Sequence, residues 1–265
     1  MAGRLAVGLA ILLLAAVLAA TFYLNPLDFL HKTYNPSNPA KLSFEVKCPE
    51  RLKAGGSGEI VLKVSNLGGS TAENVEVLVE GSVFKVEAPS FNINPGEVKE
   101  VKGKISVLDV DYGDYQARFR LKYACGGERY SQAVKKRIYV LPRVEVRDVG
   151  WKTDLFNLFG KSGVKRGDST TLHFRVKSLS EKVIYGGIKA KISLELKPEG
   201  LTISPCEVEI ERIGPKGLSS EYSVTVATSS ETPPGQYPIR IQLYTADDVP
   251  VEGAEALVKL TVSPD

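Results

Sequence analysis

The chain has 265 residues, with 34 Lys and Arg against 31 Asp and Glu, a formal charge of +3. So small an excess excludes a nucleic-acid footprint, and 43% hydrophobic with 25% charged residues excludes extended disorder. Three cysteines and two histidines are too few for a disulfide-dense scaffold, a four-thiolate zinc site or a multi-histidine metal centre.

The first element is LAVGLAILLLAAVLAATFYL, residues 5–24, a run without a charge. A bilayer core about 30 Å thick needs about twenty helical residues to cross it. Arg4 flanks the near side, Phe22 and Tyr23 fall where an aromatic belt would lie, and Asn25-Pro26 stops the helix. Residues 1–24 are therefore expected to form a single-pass membrane anchor. A cleaved secretory signal, with Val17-Leu18-Ala19 as its small-residue site, and a pilin-like leader are the alternatives. All three place the bulk of the chain outside the cytoplasm. Residues 25–40 hold three prolines and three asparagines and read as an extended stalk.

From residue 41 the apolar period becomes two. Ile60, Leu62 and Val64 alternate with Val61, Lys63 and Ser65. Tyr115, Ala117, Phe119, Leu121 and Tyr123 alternate with Gln116, Arg118, Arg120 and Lys122. That is the pattern of strands with one buried and one wet face. The chain then repeats itself. GEIVLKVSN (58–66) reads like STTLHFRVKS (169–178), NPGEVKEVKGKISV (94–107) like GPKGLSSEYSVTVA (214–227), and GDYQARFRLKY (113–123) like GQYPIRIQLYT (235–245). A spacing of this size is too long for a solenoid and suits tandem sandwiches. The expected fold class is all-β: two tandem immunoglobulin-like β-sandwiches, 41–141 and 142–265, after one N-terminal transmembrane helix.

Asn66, Gly68, Ala72, Asn74 and Val75, followed by Pro95-Gly96 and by Gly113-x-Tyr115, resemble the CARDB-type (cell-adhesion-related) and α-galactosidase-associated immunoglobulin-like modules of bacterial and archaeal surface proteins. The second copy keeps Gly235 and Tyr237 but has Ser178-Leu179-Ser180 where the first has its Asn-x-Gly turn. The resemblance implies a surface-exposed, non-enzymatic module whose motifs are structural. Gly-x-Tyr before a strand is the signature of a tyrosine corner, which assigns Tyr115 and Tyr237 to structure.

Candidate chemistry is thin. Cys48 and Cys125 share core parity at strand ends and are expected to form a disulfide, with two buried thiols as the alternative. Cys206 is expected to be a small buried hydrophobe. Asp109, Asp111 and Asp114 read as turn residues rather than a calcium loop, since the spacing and closing Glu of an EF-hand are missing. The stretch WKTDLFNLFGKSGVKR contains the only tryptophan. Trp151, Leu155, Phe156 and Phe159, with Lys161, Lys165 and Arg166, form either a lid on the chain's own core or a docking patch. No catalytic or phosphate-binding motif occurs, so neither an enzyme nor a cofactor is expected.

The expected function is a membrane-anchored surface protein presenting two domains for protein interaction, adhesion or envelope architecture, through loops and exposed strand edges. The alternatives are an accessory subunit docked on the outer face of a membrane complex or filament, and a carbohydrate-binding module of a surface hydrolase system.

Overall fold

The computed structural model describes residues 38–81, 83–152 and 163–264. The expected anchor and the stalk up to residue 37 lie outside the described residues. Within them the chain is all strand and loop.

The first repeat contributes β1 (Leu42–Lys47), β2 (Arg51–Lys53), β3 (Ser57–Asn66), β4 (Ala72–Glu80), β5 (Phe84–Glu87), β6 (Phe91–Ile93), β7 (Val98–Val107), β8 (Gly113–Cys125) and β9 (Glu128–Leu141). The second contributes β10 (Val144–Trp151), β11 (Gly163–Lys165), β12 (Ser169–Ser178), β13 (Lys189–Leu194), β14 (Thr202–Ser204), β15 (Glu207–Glu209), β16 (Tyr222–Ala227), β17 (Gly235–Tyr244) and β18 (Pro250–Ser263).

Each repeat forms one four-stranded and one five-stranded sheet, and the two orders correspond strand for strand. The first has β1-β3-β7-β5 and β2-β9-β8-β4-β6; the second has β10-β12-β16-β14 and β11-β18-β17-β13-β15. Even the short parallel pair recurs, β2 on β9 and β11 on β18. This is an immunoglobulin-like β-sandwich made twice. The strand pairs 58–66/169–178 and 113–123/235–245, matched by sequence, occupy equivalent places in the two copies.

Alternation builds the cores. In β3, Ile60, Leu62 and Val64 are fully buried, and in β8 so are Ala117, Phe119, Leu121 and Cys125. In the second copy Leu172, Phe174 and Val176 from one sheet meet Ile239, Ile241 and Leu243 from the other in one cluster. Turn chemistry sets the joints. Gly126 and Gly127 carry φ of 57° and 85° between β8 and β9, as a two-residue hairpin turn requires.

The chain divides into two compact units. One comprises the residues up to Pro49, Gly58–Ile105 and Gln116–Lys136; the other comprises Glu50–Ser57, Ser106–Tyr115 and Arg137–Asp265.

Candidate functional site

Strand edges are the first place to look for an interaction site, because they expose unpaired backbone groups. Most edges here are short: β2, β6, β11, β14 and β15 span 3 residues each, and β5 spans 4. Edge strand β1 is longer, but its outward positions include Glu45 and Lys47. Edge strand β10 is broken by a bulge between Arg147 and Gly150, where Asp148 takes a φ of 49°. Short length, charge and bulges are the devices that oppose edge pairing. Short β2 covers only Tyr139–Leu141 of β9 and short β11 only Thr261–Ser263 of β18, so the rest of these two long strands leaves open edge beside the sheet faces and loops.

One face carries a groove. It lies on the unit that holds Gln116–Lys136, over β4, β8 and the start of β9, with a volume of about 590 Å³. Outward positions of β8 supply Arg120 and Lys122; β4 supplies Asn74 and Glu76; the β9 side supplies Arg129, Tyr130 and Ser131. A β-bulge shapes one wall: Glu73 pairs with Ala124 but Glu76 with Lys122, so β4 holds one extra residue. Asn74 sits at that bulge with φ of 50°, and its amide donates to Asn92 Oδ1 at 2.8 Å. Tyr123 and Tyr130 stack with centroids 5.4 Å apart and planes 16° from parallel. Burial is the main cause that pushes the Tyr123 hydroxyl above its ordinary range.

The groove is positive. Arg120 Nη2 pairs with Glu80 Oε1 at 2.7 Å, and Arg118 shares that carboxylate at 3.4 Å. Arg120 Nε is buried and has no hydrogen-bond partner. Among the described residues neither Lys122 nor Arg129 has an acidic partner within salt-bridge distance. The corresponding face of the second copy differs. There Lys191 pairs with Asp248 at 2.9 Å and lies 4.6 Å over the Tyr244 ring. Its ammonium holds the Asp248 carboxyl below the usual carboxylate range. Arg240 is shared by Glu195 and Glu255. Lys191 and Arg240 are thus paired within the second face, whereas Lys122 and Arg129 on the first have no acidic partner among the described residues.

The site residues expected from sequence scatter. Cys48 and Cys125 are not bonded to each other, and the disulfide expectation is corrected by the path of β1. Cys125 Sγ accepts a hydrogen bond from the Ala40 amide at 3.3 Å, before β1 begins. Cys48 follows the other end of the same strand. Eight extended residues separate those ends by about 26 Å, against the 7 Å limit between bridged Cα atoms. Cys206 is exposed rather than buried, because it lies where the chain crosses from β14 to β15 in the opposite sheet.

Of the expected docking patch, Leu155, Phe156, Phe159 and Lys161 lie outside the described residues. Trp151 is half-buried and packs against the core of its own sandwich, opposite Leu172. This packing is the one expected of a lid on the chain's own core. Lys165 is exposed at the end of β11, and its carbonyl accepts from the Thr228 hydroxyl at 2.8 Å. Arg166 is half-buried with its Nε buried and unpartnered.

Tyr237 donates its hydroxyl to Pro233 O at 2.6 Å, and Tyr115 donates to Asp111 O at 3.0 Å. A tyrosine hydroxyl returning to the backbone four residues upstream is the tyrosine-corner contact. The loop carboxylates are engaged within the protein, Asp109 with a distant loop and Asp111 with its neighbour. Asp109 Oδ2 accepts from the Ser180 hydroxyl at 2.8 Å and the Glu181 amide at 2.9 Å, and Asp111 accepts from the Tyr112 amide. Among the described residues no three of His, Cys, Asp and Glu converge on a metal position.

Sequence reading took Arg118, Arg120 and Lys122 as an ordinary wet face. The signal that could have found the groove was there: three cations at every second position put all three on one side of β8. What single-strand parity could not supply was the neighbouring strand, with its bulge and its shortage of acids.

No family model matches the chain, and no curated protein matches it. Among solved structures it is similar to the Yersinia pseudotuberculosis adhesin InvE, at 10% identity and TM-score 0.30, over 86% of this chain and 61% of that one. A protein of unknown function from Porphyromonas gingivalis W83 matches at 12% and 0.30, over 84% of this chain and 99% of that one. Red sea bream transglutaminase matches at 10% and 0.36, over 84% and 31%. The chain thus spans less than two thirds of the adhesin. Such loose likenesses assign nothing, and the β-sandwich class rests on the strand orders and shared cores above.

Proposed function

We propose that the chain is a non-enzymatic, membrane-anchored protein that displays two immunoglobulin-like sandwiches outside the cytoplasm for protein interaction, adhesion or envelope architecture, as the CARDB-like resemblance implies. The observation that carries the reading is the uncharged run of residues 5–24 leading into a sandwich that clamps the incoming chain. The Gly69 amide and the Ser70 hydroxyl both donate to Asn38 O, at 3.1 and 3.2 Å. The Leu67 amide donates to Lys41 O at 2.8 Å. A Cβ on Gly68 would lie 2.1 Å from Pro39 O, so glycine alone lets this backbone pass. These contacts fix where the chain enters the first sandwich. An open charged face, and the uncovered edges of β9 and β18, support binding through faces, loops and strand edges.

The test is membrane retention followed by cross-linking. The whole chain should stay in the membrane pellet after an alkaline carbonate wash, and a variant lacking residues 1–24 should be released. Release of the whole chain would contradict the anchor. Cross-linking on native membranes should recover the chain itself or envelope material; a single stoichiometric membrane complex would make it an accessory subunit instead.

A further inference from the structure

We propose that the groove over β4, β8 and β9 binds a carboxylate-bearing sugar chain. This deepens the surface-module reading and rests on it only for where such a glycan would be met.

Charge selects the class of ligand. Arg120, Lys122 and Arg129 line the groove against one acid, Glu76, and Lys122 and Arg129 have no acidic partner among the described residues. The Arg120 Nε donor is buried without an acceptor, although its Nη2 is engaged by Glu80. An orphaned guanidinium N–H beside two cations is the donor set that an incoming carboxylate satisfies. Such donors are strongest where they are partly desolvated, and the Arg120 side chain is 29% exposed.

Hydroxyls explain the rest of the lining. Glu76 would repel a polyanion that presented only carboxylates, but it accepts from sugar hydroxyls, and Asn74 and Ser131 both donate and accept. The positive φ of Asn74 holds the bulge that sets Glu76 opposite Lys122. An extended acidic peptide fits less well. Strand β8, which carries Arg120 and Lys122, lies between β9 and β4, so its backbone groups are already paired and no strand can be added at those cations.

The experiment is calorimetry at low salt on the purified whole chain in detergent, with trigalacturonate as probe. Saturable binding is expected, with none for the neutral galactotriose or for hexaglutamate. The double variant Lys122→Ser/Arg129→Ser should bind about tenfold more weakly or worse. Both side chains are exposed, so the fold should persist, as circular dichroism would verify. Lys259→Ser, a charge change on the second sandwich, should leave binding unchanged. Absence of saturable trigalacturonate binding, equal binding of hexaglutamate, or an unaffected double variant would overturn the proposal. Because no membrane is involved, any of these outcomes leaves the anchoring and display reading standing.

Discussion

The two sandwiches share one strand order, yet they close the same corner with different chemistry. In the first, the corner is Asn66, which is buried, pairs with Leu42 and uses its whole side chain. Its Nδ2 donates to Ser70 O at 2.7 Å and to Ile93 O at 3.2 Å; its Oδ1 accepts from the Gly68 amide at 3.0 Å and the Lys41 amide at 3.3 Å. In the second, Ser178 holds the equivalent place opposite Val144. A serine cannot reach four groups, so the work is divided. Ser180 Oγ accepts from the Lys182 and Val183 amides and donates to Asp109, 71 positions upstream. Strand order, then, tolerates exchange of the corner residue when other side chains take up its hydrogen bonds. The following turn shows the same freedom. Gly96 carries φ of 73° between Pro95 and Glu97, and Lys216, after Pro215, carries 54°. Their successors close the same turn, Glu97 N to Asn94 O at 3.1 Å and Gly217 N to Gly214 O at 2.9 Å.

The comparison breaks most sharply at Asn66. Asn66→Ala should cost about 3 kcal/mol or more, because it strands buried donors and acceptors. Only the unit holding Asn66 should lose that stability. Trp151, the only tryptophan, reports on the other unit. The far-ultraviolet transition should therefore shift while the tryptophan fluorescence transition stays put; a shared shift would show that the two units melt together.

A smaller effect separates the tyrosine corners. Tyr237 is 8% exposed and makes the shorter bond. Tyr237→Phe should cost about 1–1.5 kcal/mol in denaturant unfolding, and Tyr115→Phe about half as much. The reverse ranking would contradict a burial-based account. The turn offers a gain. Lys216→Gly relieves a left-handed side-chain residue and should stabilise by about 1 kcal/mol, offset only slightly by its surface pair with Glu181. Gly96→Ala should destabilise by a similar amount.

The smallest expected effect is alkaline. Tyr185 is fully buried, and burial chiefly raises its hydroxyl above the ordinary range, while the Arg143 amide donating to it acts the other way. A raised folded value favours the neutral phenol. Its contribution is fully present below about pH 10 and is lost as pH rises through the folded value. Tyr185→Phe should flatten that alkaline decline in unfolding measurements at graded pH; an unchanged slope would assign the decline elsewhere.

Sequence made the repeated strands legible because burial on one face imposes period two, as in Ile60-Leu62-Val64 and Leu172-Phe174-Val176. The Pro95-Gly96 turn was legible because glycine reports a backbone angle. Parity failed where position along a strand mattered. It turned Cys48 and Cys125 toward the core but could not say that Cys125 abuts the chain entering β1 while Cys48 follows the far end of that strand. Cys206 follows Pro205, and only the crossing between sheets explains its exposure. The groove depends on which acids are missing from adjacent strands, a property of pairing that no single segment records.

Exposed Cys206 reports directly on display outside the cytoplasm. Intact cells would be treated with a membrane-impermeant maleimide, with Cys206→Ser as the control. Labelling of the chain without permeabilisation, abolished in the Cys206→Ser control, is the expected result. Labelling that appears only after the membrane is opened would place the sandwiches on the cytoplasmic side and contradict it.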